Sequence, residues 1–256
     1  MRLSNFVKYY WGIALSNKLM LSLYGLYLVV VCLIPVSWCS TLAKMNHLDF
    51  TKADVFSMFG DNKIYPLSMI PFTALVMVSL FPHDFRPSIV IRYRSKLKLW
   101  LNQVSIILIS SFIINMFVVI ILLVVSNYFT RKTINWNTFE SLFNLITKKI
   151  LEGNPPIVII VLMCFITSFF SVAIMSILLM FAKWMNKLIY GYLLLLIICS
   201  VDLRYSGFFR VNTIYFPRWL EHDNILHVLT SPIIITFGLI LFGVLAFKRK
   251  DFLNGK

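Results

Sequence analysis

Acidic side chains are scarce in this chain: ten Asp and Glu stand against 24 Lys and Arg, and only 13% of its 256 residues are charged. Soluble domains commonly carry about a quarter charged residues, so an ordinary water-soluble globule is excluded. No GxxxxGK[ST] phosphate loop occurs, which removes that route to holding a nucleotide. The four histidines, His47, His83, His222 and His227, form no HExxH arrangement. The four cysteines make neither a CxxC pair nor a disulfide framework, and they read as small apolar residues of a helix bundle. Cys39 and Cys199, both expected near one face, are the pair open to a bridge. Internal repeats and low-complexity tracts are also missing.

What is abundant is apolar sequence: 59% of residues are hydrophobic, and the mean hydropathy is +0.84. A bilayer core about 30 Å thick takes roughly 20 apolar residues as a helix. Six runs approach that: Leu19–Ser40, Ile64–Phe81, Leu101–Asn127, Pro155–Ala182, Leu188–Val201 and Ser231–Phe247. The composition therefore predicts an all-α, polytopic protein, a single transmembrane domain over 1–256 with six crossings. The fifth run is short, and five crossings with a re-entrant segment is the rival layout. The first run is longer than a secretion-signal core and follows a long aromatic leader, so it is read as a retained helix.

The net charge of +14 raises nucleic acid as a partner, but the basic residues sit in short clusters between apolar runs, as membrane-protein loops do. With the N-terminus inside, fourteen basic residues fall on the inner side with only Asp84 and Asp251 as acids. The outer segments hold the other ten basic residues and eight acids. The positive-inside rule then places both termini in the cytoplasm. Trp11, Trp38, Trp100, Trp184 and Trp219 flank runs, where amphipathic rings favour the membrane interface.

Residues 1–18 put Leu3, Phe6, Val7, Tyr10 and Ala14 at helical spacing, with Arg2 and Lys8 elsewhere on the wheel. That pattern predicts an amphipathic helix on the inner membrane surface. Outer loops are expected over Thr41–Lys63, Tyr128–Asn154 and Asp202–Thr230. The second carries Phe139, Leu142, Phe143, Ile146 and Ile150 at helical spacing, and the third is aromatic, with a re-entrant path as its alternative reading.

No Asp, Glu, Lys, Arg or His lies between the ends of any run. Ion-coupled carriers and proton relays usually place such a group within the membrane, so any work done by this chain draws on a partner. The inner stretch 83–100 suits docking to that partner. Arg86, Arg92, Arg94, Lys96 and Lys98 accompany an apolar set of Phe85, Ile89, Val90, Ile91 and Tyr93, in which rings anchor and charges steer. A plain basic loop is the simpler reading. Asn115 is the strongest polar group at depth, facing either cargo or a neighbouring helix.

The string Ile91-Arg92-Tyr93-Arg94-Ser95-Lys96-Leu97-Lys98-Leu99-Trp100 resembles a pattern of ABC-2-type exporter permeases, Arg-Tyr-Gly-Ser followed by basic residues entering the third span. Arg94 stands where that family commonly has Gly. The closing Phe247-Lys248-Arg249-Lys250-Asp251-Phe252 resembles the family's tail, and the basic amphipathic leader is also similar. The resemblance covers the whole chain as a pattern of short motifs. It implies a second permease subunit, read as an identical copy in a homodimer surrounded by membrane lipid, two copies of an ABC ATPase, and ATP with Mg held by that partner; this chain itself is expected to hold no cofactor or metal and to perform no catalysis. It further implies a coupling helix around Asp84–Lys98, with Asp84, Phe85, Arg86, Ile89, Arg92, Tyr93 and Lys96 at the ATPase, and a connecting helix through Phe6, Val7 and Tyr10. Asn115 is then a candidate for the translocation path.

Size and Lys/Asn/Ile-rich character resemble Gram-positive exporters of phenol-soluble modulins and lantibiotic immunity permeases most, implying amphipathic peptide cargo and a bacterial cell-membrane location. Lipid-like, glycan or drug cargo is the alternative. Another class, a membrane-embedded hydrolase or acyltransferase, would draw on Glu221, His222, Asp223 and His227. A scaffold or sensor subunit is the third. A reporter fused after Lys256 is expected to give a cytoplasmic signal; an external signal would invert the layout.

Overall fold

The computed structural model describes Gly12, residues 18–60, Thr73, Val76, and residues 95–148, 150–185, 187–205 and 225–248. Among these residues the regular structure is helical: α1 (Lys18–Asn46), α2 (Lys52–Phe59), α3 (Lys96–Phe129), α4 (Leu142–Thr147), α5 (Ile157–Trp184), α6 (Leu188–Tyr205) and α7 (Ile225–Lys248). Tyr24–Asn46 of α1, all of α3 and all of α5 are long and apolar enough to cross a membrane. The chain is a membrane protein. Shorter apolar segments, Leu188–Ile198 and Pro232–Ala246, lie in α6 and α7. Six crossings were expected from the sequence; of the second run, only Thr73 and Val76 fall among the described residues, both helical. The leader 1–18 lies outside them apart from Gly12 and Lys18, as does most of the stretch 83–100.

Side-chain distribution explains why these helices associate. In α1, Leu28, Val31, Cys32, Val36, Cys39 and Ala43 are buried at three- and four-residue spacing, the stripe that one helix presents to another. Large apolar side chains also face outwards: Leu26, Val29, Val30, Ile34 and Trp38 are exposed. On α3, Phe112, Met116, Phe117, Ile120 and Val124 are exposed in the same way, as are Ile234, Phe237, Leu241 and Leu245 on α7. Helices apolar on every side, with large exposed hydrophobics in rows, suit lipid rather than water. Cys39, expected to be open to a bridge with Cys199, is a free thiol packed inside.

Helix α5 is central and packs on α3, α6, α7 and α2, while α1 packs on α3. Its buried face carries Cys164, Ser168, Ser171 and Ala173, small residues that let backbones approach. The 34 residues of α3 span about 50 Å, more than a hydrocarbon core, so this helix tilts or extends past it.

The connections after α1 and α3, expected as separate outer loops, form one packed cap. Lys52 and Ala53 donate backbone hydrogen bonds to Lys132 and Thr133 carbonyls at 3.1 Å, and Asp49 bridges to Ser141 in parallel register. Helix α2 starts with a capping box: Thr51 Oγ1 accepts from Asp54 N–H at 3.4 Å, and Asp54 Oδ2 accepts from Thr51 N–H at 2.7 Å. Asp54 Oδ1 accepts from the indole of Trp136 at 2.7 Å. That ring is fully buried and stacked on Phe143, with centroids 4.4 Å apart. Helix α4 is the short helix the periodicity indicates; Leu142 and Phe143 are buried whereas Phe139 and Ile146 are exposed.

Burial pushes the Asp54 carboxyl above its ordinary value, while hydrogen bonds from Thr51 and Trp136 oppose the shift. Between the ordinary value and the raised one, the folded state holds a proton that the unfolded chain has released. Stability from this group is therefore present below the ordinary carboxylate range and is lost as pH rises through the raised value. Asp54→Asn is expected to flatten that slope, and Trp136→Phe to cost about 1–3 kcal/mol by leaving Oδ1 without its donor. Melting midpoints in detergent, followed from acidic to neutral pH, check both.

Candidate functional site

The proposed docking stretch enters the bundle at the start of α3. Ser95 caps the helix, its Oγ accepting from Lys98 N–H at 3.4 Å. Lys96 is therefore the first helical residue, half-buried, and positions 96–100 belong to α3 rather than to a loop. Asp84, Phe85, Arg86, Ile89, Arg92 and Tyr93 lie outside the described residues, as do Phe6, Val7 and Tyr10. So do Glu221, His222 and Asp223 of the alternative reading.

Immediately beyond the cap, Leu99 and Trp100 are fully buried. Trp100 meets Phe181 with ring centroids 4.9 Å apart and Trp184 edge-on at 5.9 Å, both on the last turn of α5. Its indole N–H donates to the Ile240 carbonyl of α7 at 3.2 Å. Three residues further along that helix, Gly243 supplies the space the ring needs: a Cβ there would stand 2.2 Å from Trp100 Cζ2. Phe181 also touches Phe242, with centroids 5.6 Å apart. Trp184 donates its indole N–H to Gln103 Oε1 at 2.7 Å, both side chains fully buried. Three helices thus meet on one ring, within a few residues of Ser95.

This placement corrects an expectation. Trp38 is half exposed, as a membrane-interface ring would be, but Trp100 and Trp184 are interior side chains. The reason is polar satisfaction: each indole N–H has a partner inside the protein, so neither ring needs water at its edge.

Deeper in the bundle, near the middle of α3, Asn115 is fully buried. Its amide donates to the Ser111 carbonyl at 2.7 Å, and its Oδ1 accepts from Ser168 Oγ of α5. Thr167 and Ser176 return their hydroxyls to carbonyls one turn back, at 2.9 and 2.6 Å. Ser110 and Ser111 hydroxyls are buried without a hydrogen-bond partner among the described residues. The interior of the α3–α5 contact is therefore polar but uncharged.

Sequence reasoning singled out Lys96, Trp100 and Asn115 but missed Gln103, Ser168, Phe181, Trp184 as a packing residue, and Gly243. A signal was present: Gln103 stands one turn past Trp100, beside Asn102 at the start of a mostly apolar run, and an amide inside a membrane helix calls for a donor or acceptor on a neighbour. Comparison with protein families, curated proteins and solved structures finds no match.

Gly243→Ala is expected to displace the Trp100 ring and cost on the order of 1–3 kcal/mol, the usual range for overpacking. Gly238→Ala on the same helix, where a Cβ meets nothing within 4 Å, is the control and should be neutral or mildly stabilising. Thermal unfolding of the purified protein in detergent compares the two.

Proposed function

We propose that this chain is the membrane-spanning permease subunit of an ATP-driven exporter of the ABC-2 type, moving amphipathic peptides. It resides in a bacterial cell membrane with six crossings and both termini in the cytoplasm. It pairs with a second permease subunit and two copies of an ATPase that hold ATP and Mg. The observation that supports this reading is the junction at Trp100. A basic, ring-bearing segment runs directly into a helix whose first turns are keyed to α5 and α7 by a buried ring and two buried indole hydrogen bonds.

Rigid packing at that junction suits transmission. A load delivered at Ser95 enters α3 at once and reaches α5 and α7 through Trp100, and close-packed contacts switch between discrete arrangements rather than stretch. ATP binding at the partner then favours the arrangement whose docking segments sit closer together. Apolar runs free of Asp, Glu, Lys, Arg and His suit passage of an amphipathic chain better than passage of an ion, while Asn115 and Ser168 pair with each other across the α3–α5 contact.

Solubilisation from the native host after crosslinking is expected to recover an ATPase with this chain. Phe85→Glu and Ile89→Glu are expected to leave insertion intact while ATP hydrolysis no longer drives transport. Recovery of the chain without any ATPase, or unchanged coupling in both variants, would refute the assignment.

A further inference from the structure

The end of the bundle opposite Trp100 carries a cleft that the exporter reading does not use. Helix α1 stops in a Schellman arrangement: His47 adopts a left-handed conformation at φ 53°, Leu48 N–H donates to the Ala43 carbonyl at 2.9 Å, and His47 N–H donates to that of Lys44 at 3.5 Å. The reversal carries Asp49 and Phe50 towards the end of α3. There Thr130 clamps the two chains, its Oγ1 donating to the Phe50 carbonyl at 3.0 Å and its N–H to the Ser126 carbonyl at 2.9 Å. Between the two helix ends lies an open cleft of about 680 Å³.

Its lining divides by chemistry. Ala43, Leu48, Phe50 and Phe129 are apolar; Lys44, Arg131 and Lys132 are cationic, and Asp49 is the one carboxylate among the lining residues. Lys132 forms an ion pair with Asp49. Lys44 and Arg131 make no ion pair among the described residues, so the cleft keeps an excess of positive charge. Part of that charge offsets the carbonyl ends of α1 and α3. Arg131 lies beyond the end of α3, and a guanidinium is suited to bidentate recognition of a phosphate oxyanion.

We infer that this cleft binds the headgroup of an anionic phospholipid, its phosphate held between Lys44 and Arg131. The position argues for lipid over a soluble anion. The cleft opens where two membrane-crossing helices end, and the exposed side chains Met45, Tyr128 and Phe129 continue its apolar wall along the bundle. A phosphodiester seated there leaves its acyl chains along the exposed apolar surface that starts at Phe129. The inference stands on the cleft alone, whichever face of the membrane the cap occupies and whatever the transported cargo.

The test uses the full chain, delipidated in detergent and titrated with phosphatidylglycerol or with phosphatidylcholine, retained lipid being counted by native mass spectrometry. Wild type is expected to retain phosphatidylglycerol in preference. Lys44→Gln and Arg131→Gln are each expected to weaken that retention by roughly fivefold, the usual electrostatic share of one cation at an anionic membrane surface. Lys148→Gln, exposed in the cap away from the cleft, should leave it unchanged. The exchanged pair Lys44→Arg with Arg131→Lys should preserve it, which separates charge from folding. Equal retention of the two lipids, undiminished phosphatidylglycerol in the double Gln variant, or equal occupancy by inorganic phosphate alone would overturn the inference.

Discussion

Hydrocarbon offers no hydrogen bonds, so each large polar side chain inside this bundle has to find its partner within the protein. Gln103, Asn115 and the indoles of Trp100 and Trp184 are the test cases, all fully buried. Every one meets that demand across a helix interface: Gln103 and Trp184 join α3 to α5, Asn115 and Ser168 repeat the join half-way along, and Trp100 reaches the backbone of α7. An individual bond of this kind within a membrane bundle contributes about 0.6 kcal/mol on average. Their main effect is on register, because a sliding or rotated helix would leave several buried groups unpaired at once.

The two ends of α3 obey different physics. At its start the neighbours are rings and a glycine, and tight van der Waals fit sets the geometry. At its far end the chain leaves the apolar bundle, and the cap is built like a small soluble protein, from a capping box, a buried carboxylate, a Trp–Phe stack and an exposed ion pair. One continuous helix joins the packed junction to the cap. In the exporter reading that continuity matters, since motion imposed at Trp100 is carried along a rod of 34 residues rather than through flexible connections.

Legibility in the sequence followed the length scale of each signal. The long apolar runs marked the described membrane helices, closely for α5 and more loosely elsewhere: the run Pro155–Ala182 corresponds to Ile157–Trp184 and Leu101–Asn127 to the interior of α3, whereas α1 continues past Ser40 to Asn46. The helical spacing of Leu142, Phe143 and Ile146 marked α4. The joining of two connections into one cap was not legible, because Asp54 and Trp136 stand 82 positions apart and neither has a local pattern. Nor was the interior role of Trp100 and Trp184, since a Trp at the edge of an apolar run reads equally well as an interface ring.

Composition and run length by themselves determined that the protein is helical and lives in a membrane, because transfer into lipid sums over consecutive residues and needs no knowledge of neighbours. Which faces meet was decided only in three dimensions. A helix apolar all round carries no stripe to distinguish protein from lipid, so the choice falls to shape and polar pairing: a glycine opposite an indole, an asparagine opposite a serine, an arginine and a lysine brought to one cleft by two helix ends.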